Sequence, residues 1–204
     1  MQGTRQARLE RKTRETCIVV ELDVDGEGQS KIKTPLGFLD HLLDVFTRFG
    51  WFNLNLTAEG EFQVDQHHLL EDCGFVLGKA FGQALRNRAG INRAGFFVLP
   101  QDESLAVVAV DLSGRPFVQY KASYRRQFCG GLDTDCLEDF FHGFARGVGG
   151  NLVVQVPRGK SDHHKTEAIF KALGRAMWMA CSYNPRLAEI IPSTKGVIDY
   201  DWDN

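Results

Sequence analysis

The chain has 204 residues, 43% hydrophobic and 25% charged, with 21 Gly and 6 Pro. That is enough for a buried core, and it excludes a disordered, collagen-like or low-complexity chain. A formal charge of −2 at pH 7 gives no global electrostatic reason to bind nucleic acid, and no apolar run approaches the roughly 20 residues of a membrane span.

The N-terminal stretch carries Arg5, Arg8, Arg11, Lys12 and Arg14 with Glu10 and Glu15 among them, and it lacks the apolar centre of a secretory signal. Residues 17–24 (CIVVELDV) alternate and are rich in β-formers, so they read as a strand. Asp25-Gly26-Glu27-Gly28 is a turn signal, after which Ser30 to Lys33 reads as a returning hairpin strand. Phe38, Leu39, Leu42, Leu43 and Phe46 recur at helical spacing over 37–49. Residues 52–57 alternate as a strand, and a helix is expected from His67 to Leu85.

The second half replays this order. Strands are expected at 105–112 and 117–122, a helix at 137–148, a strand at 152–156 and a helix at 163–181. Each half reads strand, strand, helix, strand, helix. The expected fold class is therefore α+β: two similar halves, 1–92 and 93–204, with mixed sheets covered by helices. Five cysteines, an odd number with no CxxC pair, suit free thiols in a reducing, cytoplasmic compartment.

The repeat is visible in the residues. His67-His68-x-x-Glu71 recurs as His163-His164-x-x-Glu167, 96 positions on. The earlier helices match more weakly at an offset of 98, with Leu39-Asp40-His41 facing Leu137-Glu138-Asp139. Four of the six histidines lie in the two doublets. In a helix, His67 and Glu71 share a face, as do His163 and Glu167. The adjacent histidine points about 100° away around the axis, so a doublet serves two metals, or one metal and an outer partner. Imidazole nitrogens with a carboxylate suit Zn, Mn, Fe, Co or Ni.

Several blocks, in order, carry a family resemblance: RKTRET (11–16), GFLDHLLD (37–44), QHHLLEDCGFVLGKA (66–80), GINR (90–93), P-x-DE-x-L (100–105), DLSGRPF (111–117), DHHKTEAIFKALGRA (162–176) and PSTKG (192–196). The sequence resembles the imidazoleglycerol-phosphate dehydratases of histidine biosynthesis. The resemblance implies a metal-dependent hydro-lyase that converts D-erythro-imidazole-glycerol phosphate to imidazole-acetol phosphate. It further implies a 24-subunit homo-oligomer with Mn2+ sites shared between subunits. His41, His68, His163 and Glu167 are expected to hold one manganese, and His67, Glu71 and His164 the other. Glu15 matches the carboxylate near substrate, an acid/base candidate. Arg93, Arg115, Lys171, Ser193 and Lys195 match phosphate contacts, a set able to neutralise and orient a dianion.

The chain also departs from the family pattern. Asp139 stands where the family usually has a histidine ligand of the second metal, and its oxygens could replace that nitrogen. Val45 and Phe49 stand where glutamine and histidine are common near the substrate. Ala94 follows GINR in place of tyrosine, and Gln101 precedes the DE pair in place of methionine. These changes open a second reading, a paralogue acting on another phosphorylated azole. A third is a non-catalytic, metal-stabilised assembly. His142 matches no family ligand and reads as a surface or structural residue.

Overall fold

The computed structural model describes residues 4–60, 65–187 and 190–198. The first half contains β1 (Gln6–Lys12), β2 (Thr16–Asp23), β3 (Ser30–Lys33), α1 (Gly37–Gly50), β4 (Asn53–Gly60) and α2 (His67–Leu85). The second contains β5 (Ala94–Gln101), β6 (Ser104–Asp111), β7 (Phe117–Lys121), α3 (Cys136–Val148), β10 (Asn151–Arg158) and α4 (Asp162–Cys181). A short hairpin, β8 (Phe128–Cys129) and β9 (Leu132–Asp133), precedes α3. The α+β class and the duplicated halves match the sequence expectation.

Two expectations are corrected. Each half opens with a strand that the sequence reading did not contain, β1 and β5. Both are edge strands, in sheets ordered β1-β2-β4-β3 and β5-β6-β10-β7. In β1 only Ala7 and Leu9 are apolar, and charged residues occupy most of the rest. Pro100 near the end of β5 is tolerated because an edge strand leaves one side of its ladder unpaired. The second correction concerns β3. It does not return against β2 but lies parallel to β4, Ser30 opposite Leu54, with α1 as the crossover. β7 lies parallel to β10 in the same way, Asn151 opposite Phe117.

Strict alternation explains the layering. In β2, Ile18, Val20 and Leu22 are buried, and in β6 Ala106, Val108 and Val110, so each sheet has one covered face. Helices α1 and α2 cover the first sheet, and α3 and α4 the second. The helix layers then meet, α2 on α3 and α1 on α4. Phe46, Phe81, Phe140, Phe144 and Phe170 fill the space between them.

The α2–α3 contact is unusually close because two GxxxG pairs face each other. A Cβ at Gly74 would lie 2.1 Å from the Phe140 carbonyl oxygen, and one at Gly143 would lie 2.1 Å from that of Glu71. Arg88, buried with φ +60°, ties the halves together. Its guanidinium donates to the carbonyls of Leu112 at 2.7 Å, Gly149 at 2.9 Å and Val148. Those acceptors lie just past β6 and at the end of α3, where helical carbonyls lack partners. All five cysteines are free thiols. Among the described residues no helix is long and apolar enough to cross a membrane.

Candidate active site

The two histidine doublets stand at the starts of α2 and α4. The Asp65 carboxylate accepts the His67 backbone N–H at 2.9 Å just ahead of α2, and the Ser161 hydroxyl accepts that of His164 at 3.3 Å, so α4 carries an N-cap side chain and α2 does not. The i,i+4 geometry is realised. His67 Nε2 is 3.6 Å from Glu71 Oε2, and His163 Nε2 is 3.5 Å from Glu167 Oε2. The neighbouring helix adds a third group to each pair. From α1, His41 Nε2 lies 3.6 Å from Glu167 Oε1. From α3, Asp139 Oδ2 lies 2.7 Å from His67 Nδ1. The trios His41/His163/Glu167 and Asp139/His67/Glu71 are thus counterparts under the internal repeat.

Their chemistry differs. In the first trio the ligand atoms all lie within 4.8 Å of one another. Phe38 backs both rings, with centroid separations of 6.1 Å to His41 and 5.0 Å to His163. In the second, Arg146 Nη1 sits 3.0 Å from Glu71 Oε1. The remaining doublet histidines stand apart. His68 does not join His41, His163 and Glu167 within one chain; its Nδ1 lies 3.8 Å from Glu15 Oε2, both side chains exposed. His164 does not join His67 and Glu71. Its Nδ1 lies 2.9 Å from Glu103 Oε2 and 3.6 Å from Asp102 Oδ2. Asp102 and Glu103 form the two-residue turn between β5 and β6, and with His164 they make a second group within 4.8 Å. The sequence reading gave this DE pair no role, because nothing in its spacing places a hairpin turn beside a helix start.

These contacts set the charge states. The hydrogen bond with Asp139 raises the His67 imidazole from its ordinary value, and the one with Glu103 does the same for His164. Glu103 in turn is held far below the usual carboxylate range by His164, then by the backbone N–H groups of Ser161 at 2.7 Å and Lys160 at 3.1 Å. For Glu167, burial opposes ionisation, but hydrogen bonds from Gln101 and Lys171 outweigh it and the carboxyl lies below its ordinary value.

The cationic residues stand in two places: Lys171 beside Glu167 and Gln101 at the end of β5, and Arg93 with the 192–196 segment at its start. Lys171 Nζ is 3.0 Å from Glu167 Oε1 and donates to Gln101 Oε1 at 3.1 Å, with the Phe49 ring 5.4 Å away. Arg93, at φ +69°, grips Asp111 with two N–H groups at 2.7 and 3.0 Å, and a third reaches the Pro192 carbonyl at 2.7 Å. It thereby positions the segment bearing Ser193 and Lys195, where the Ser193 hydroxyl accepts the Lys195 N–H at 3.2 Å. Arg115 is exposed in the turn after β6, and Lys195 is exposed. Gln101 therefore joins Lys171 and Glu167, a role that the sequence comparison alone did not indicate. Val45 is buried inside α1. Ala94 is exposed at the start of β5. Among the described residues His142 pairs with Glu138 on the surface of α3, at 3.6 Å.

A sequence profile of the imidazoleglycerol-phosphate dehydratases matches residues 34–177. The chain belongs to this family. The dehydratase of Koribacter versatilis is 50% identical over 194 residues, which cover 95% of this chain and 100% of that one. That of Methanocella arvoryzae is 47% identical with the same coverage. Among solved dehydratases, the Staphylococcus aureus structure superposes with a TM-score of 0.79 at 32% identity, covering 88% of this chain and 99% of that chain. The Pyrococcus furiosus structure gives 0.75 at 33% identity, covering 93% and 99%. Family membership makes the chain an enzyme of the hydro-lyase class.

Proposed function

We propose that the protein dehydrates D-erythro-imidazole-glycerol phosphate to imidazole-acetol phosphate, with two divalent cations, manganese foremost, held between copies of the chain. The convergence of His41, His163 and Glu167 carries this reading. Two imidazoles and an ionised carboxylate within 4.8 Å fit one borderline cation such as Mn2+. His41, His163 and Glu167 would hold the first cation and His67 and Glu71 the second. His68 and His164 are exposed or half-exposed and stand outside the trios of their own chain, which supports their completing sites on a neighbouring copy. Closed homo-oligomers are the common outcome of such sharing, and a 24-subunit particle in the cytoplasm is the assembly and location proposed. Phe96, Phe117 and Phe128 leave apolar surface exposed for such contacts.

When bound beside an azole, the cations supply Lewis acidity that stabilises negative charge on the ring. The chain's own residues do the rest. Glu15, exposed beside His68, would move a proton between substrate carbons and solvent. Arg115, Lys195 and Ser193 would anchor the phosphate as a handle whose binding energy orients the reacting end, and Lys171, 3.0 Å from Glu167, would join them from beside the cation site of another copy. Three of the five Arg93 N–H donors are engaged by Asp111 and Pro192, so Arg93 acts chiefly by holding the 192–196 segment.

Purified, manganese-loaded protein should turn over imidazole-glycerol phosphate, and its expression should restore growth to a histidine auxotroph lacking the dehydratase. Folded, metal-loaded protein that does neither would overturn the reading. One observation favours the paralogue alternative: Phe49 places an apolar ring beside Lys171. Turnover of a different phosphorylated azole, with none of imidazole-glycerol phosphate, would select it.

A further inference from the structure

We propose that Asp139 and Glu103 are positioning residues: each carboxylate takes the Nδ1–H of one histidine, His67 or His164, and so leaves that ring's Nε2 lone pair free for the second cation. This rests on the metal reading above and deepens it. Asp139 Oδ2 lies 2.7 Å from His67 Nδ1, and Glu103 Oε2 lies 2.9 Å from His164 Nδ1. The two nitrogens of an imidazole point away from each other. A carboxylate on one therefore cannot share an ion bound at the other unless the ring turns.

The internal repeat supplies the contrast. His41 is the counterpart of Asp139, and it presents Nε2 toward Glu167 to complete a set within 4.8 Å. Asp139 instead sits on the far side of the His67 ring, whose Nε2 faces Glu71 at 3.6 Å. Among the described residues, His67, Glu71 and Asp139 form no set of that compactness; Asp102, Glu103 and His164 do, but their contacts are with Nδ1 and leave Nε2 outside them. Glu103 is anchored as well. Its Oε1 accepts from the Ser161 and Lys160 backbones at 2.7 and 3.1 Å and from the Ser104 hydroxyl at 3.3 Å, so it is held to the helix start. A carboxylate behind an imidazole fixes the tautomer and makes the metal-facing nitrogen more basic.

The test compares wild type with Asp139→Ala, Asp139→Asn and Glu103→Ala as full chains. Manganese is titrated with metal content read by mass spectrometry, and ring tautomers are read by solid-state nitrogen NMR of histidine-labelled, metal-free protein at alkaline pH. Asp139→Ala should weaken the second site about 10–100-fold and mix the His67 tautomers. Asp139→Asn should recover most of that affinity, because an amide oxygen still accepts Nδ1–H. Glu103→Ala should act the same way on His164. Equal loss in the Asn and Ala variants would make Asp139 a ligand and overturn the proposal, as would unchanged tautomers in both alanine variants. A wild type that binds no manganese would defeat the metal reading itself, while the tautomers would still report on the two carboxylates.

Discussion

Adding one methyl group at Gly143 should destabilise the protein, although helix propensity alone argues the reverse. Alanine in a helix interior is favoured over glycine by roughly 1 kcal/mol. The new Cβ, however, would lie 2.1 Å from the Glu71 carbonyl oxygen and 2.9 Å from the Phe75 nitrogen, both backbone atoms that no rotamer change can remove. A carbon–oxygen contact relaxes only near about 3.3 Å, so α2 and α3 must part locally by roughly 1 Å. Overpacking of that kind costs about 1–3 kcal/mol, occasionally more. Gly147→Ala and Gly74→Ala meet the same obstacle at 2.1 Å from the carbonyls of Phe75 and Phe140. Gly37→Ala at the start of α1 has open space and serves as the control. In urea unfolding at one fixed protein concentration, the midpoint of Gly143→Ala should fall by roughly 0.5 M, from a net loss near 1 kcal/mol and a typical slope. Gly37→Ala should stay level or rise. A Gly143→Ala protein as stable as wild type or more so would refute the claim that backbone proximity sets the α2–α3 distance. The same change shifts His67 relative to Asp139, so second-site manganese affinity should fall with stability.

Other outcomes follow from the same coordinates. Arg88→Met leaves the carbonyls of Leu112 and Val148 short of a donor, while that of Gly149 keeps its bond from the Gly114 N–H; at about 1–3 kcal/mol for each unmet buried acceptor, the loss should be at least ~2 kcal/mol, and thermal unfolding shifted by only a degree or two would contradict it. Glu15→Gln should lose turnover while keeping its manganese, and full activity would remove Glu15 from the chemistry. Chelation should dissociate the particle, whereas an unchanged sedimentation profile would show that assembly does not depend on the cations. Cys181 is buried and burial pushes its thiol up to about 12, and Cys73 is fully enclosed. Neither should be labelled by a thiol reagent in the native state, even as the pH rises through the ordinary cysteine range near 8.5. Labelling of either at the rate of the unfolded chain would show the core to be open.

Apolar period and β-branched runs were sufficient to locate four helices and six of the strands, because burial of one face imposes a periodicity that any reader of the residues can count. The doublets were legible for the same reason: i,i+4 spacing guarantees that His67 meets Glu71 and His163 meets Glu167. Neither opening edge strand, β1 or β5, was legible. β1 is largely charged and β5 carries a glycine and a proline, and an edge needs only half its backbone paired. The parallel partnership of β3 with β4 was equally hidden, since a turn signal after β2 says that the chain reverses, not which strand receives it.

What the residues determine by themselves is therefore local: the elements, the repeat and the ligand types that they carry. The tertiary fold decides which groups meet. Facing glycines let α3 approach α2 closely enough to set Asp139 on the Nδ1 side of His67, while the hairpin turn of β5 and β6 sets Glu103 behind His164. Both outcomes depend on distances between segments remote in the chain, and those are settled by packing the core, to which no short stretch of sequence has access.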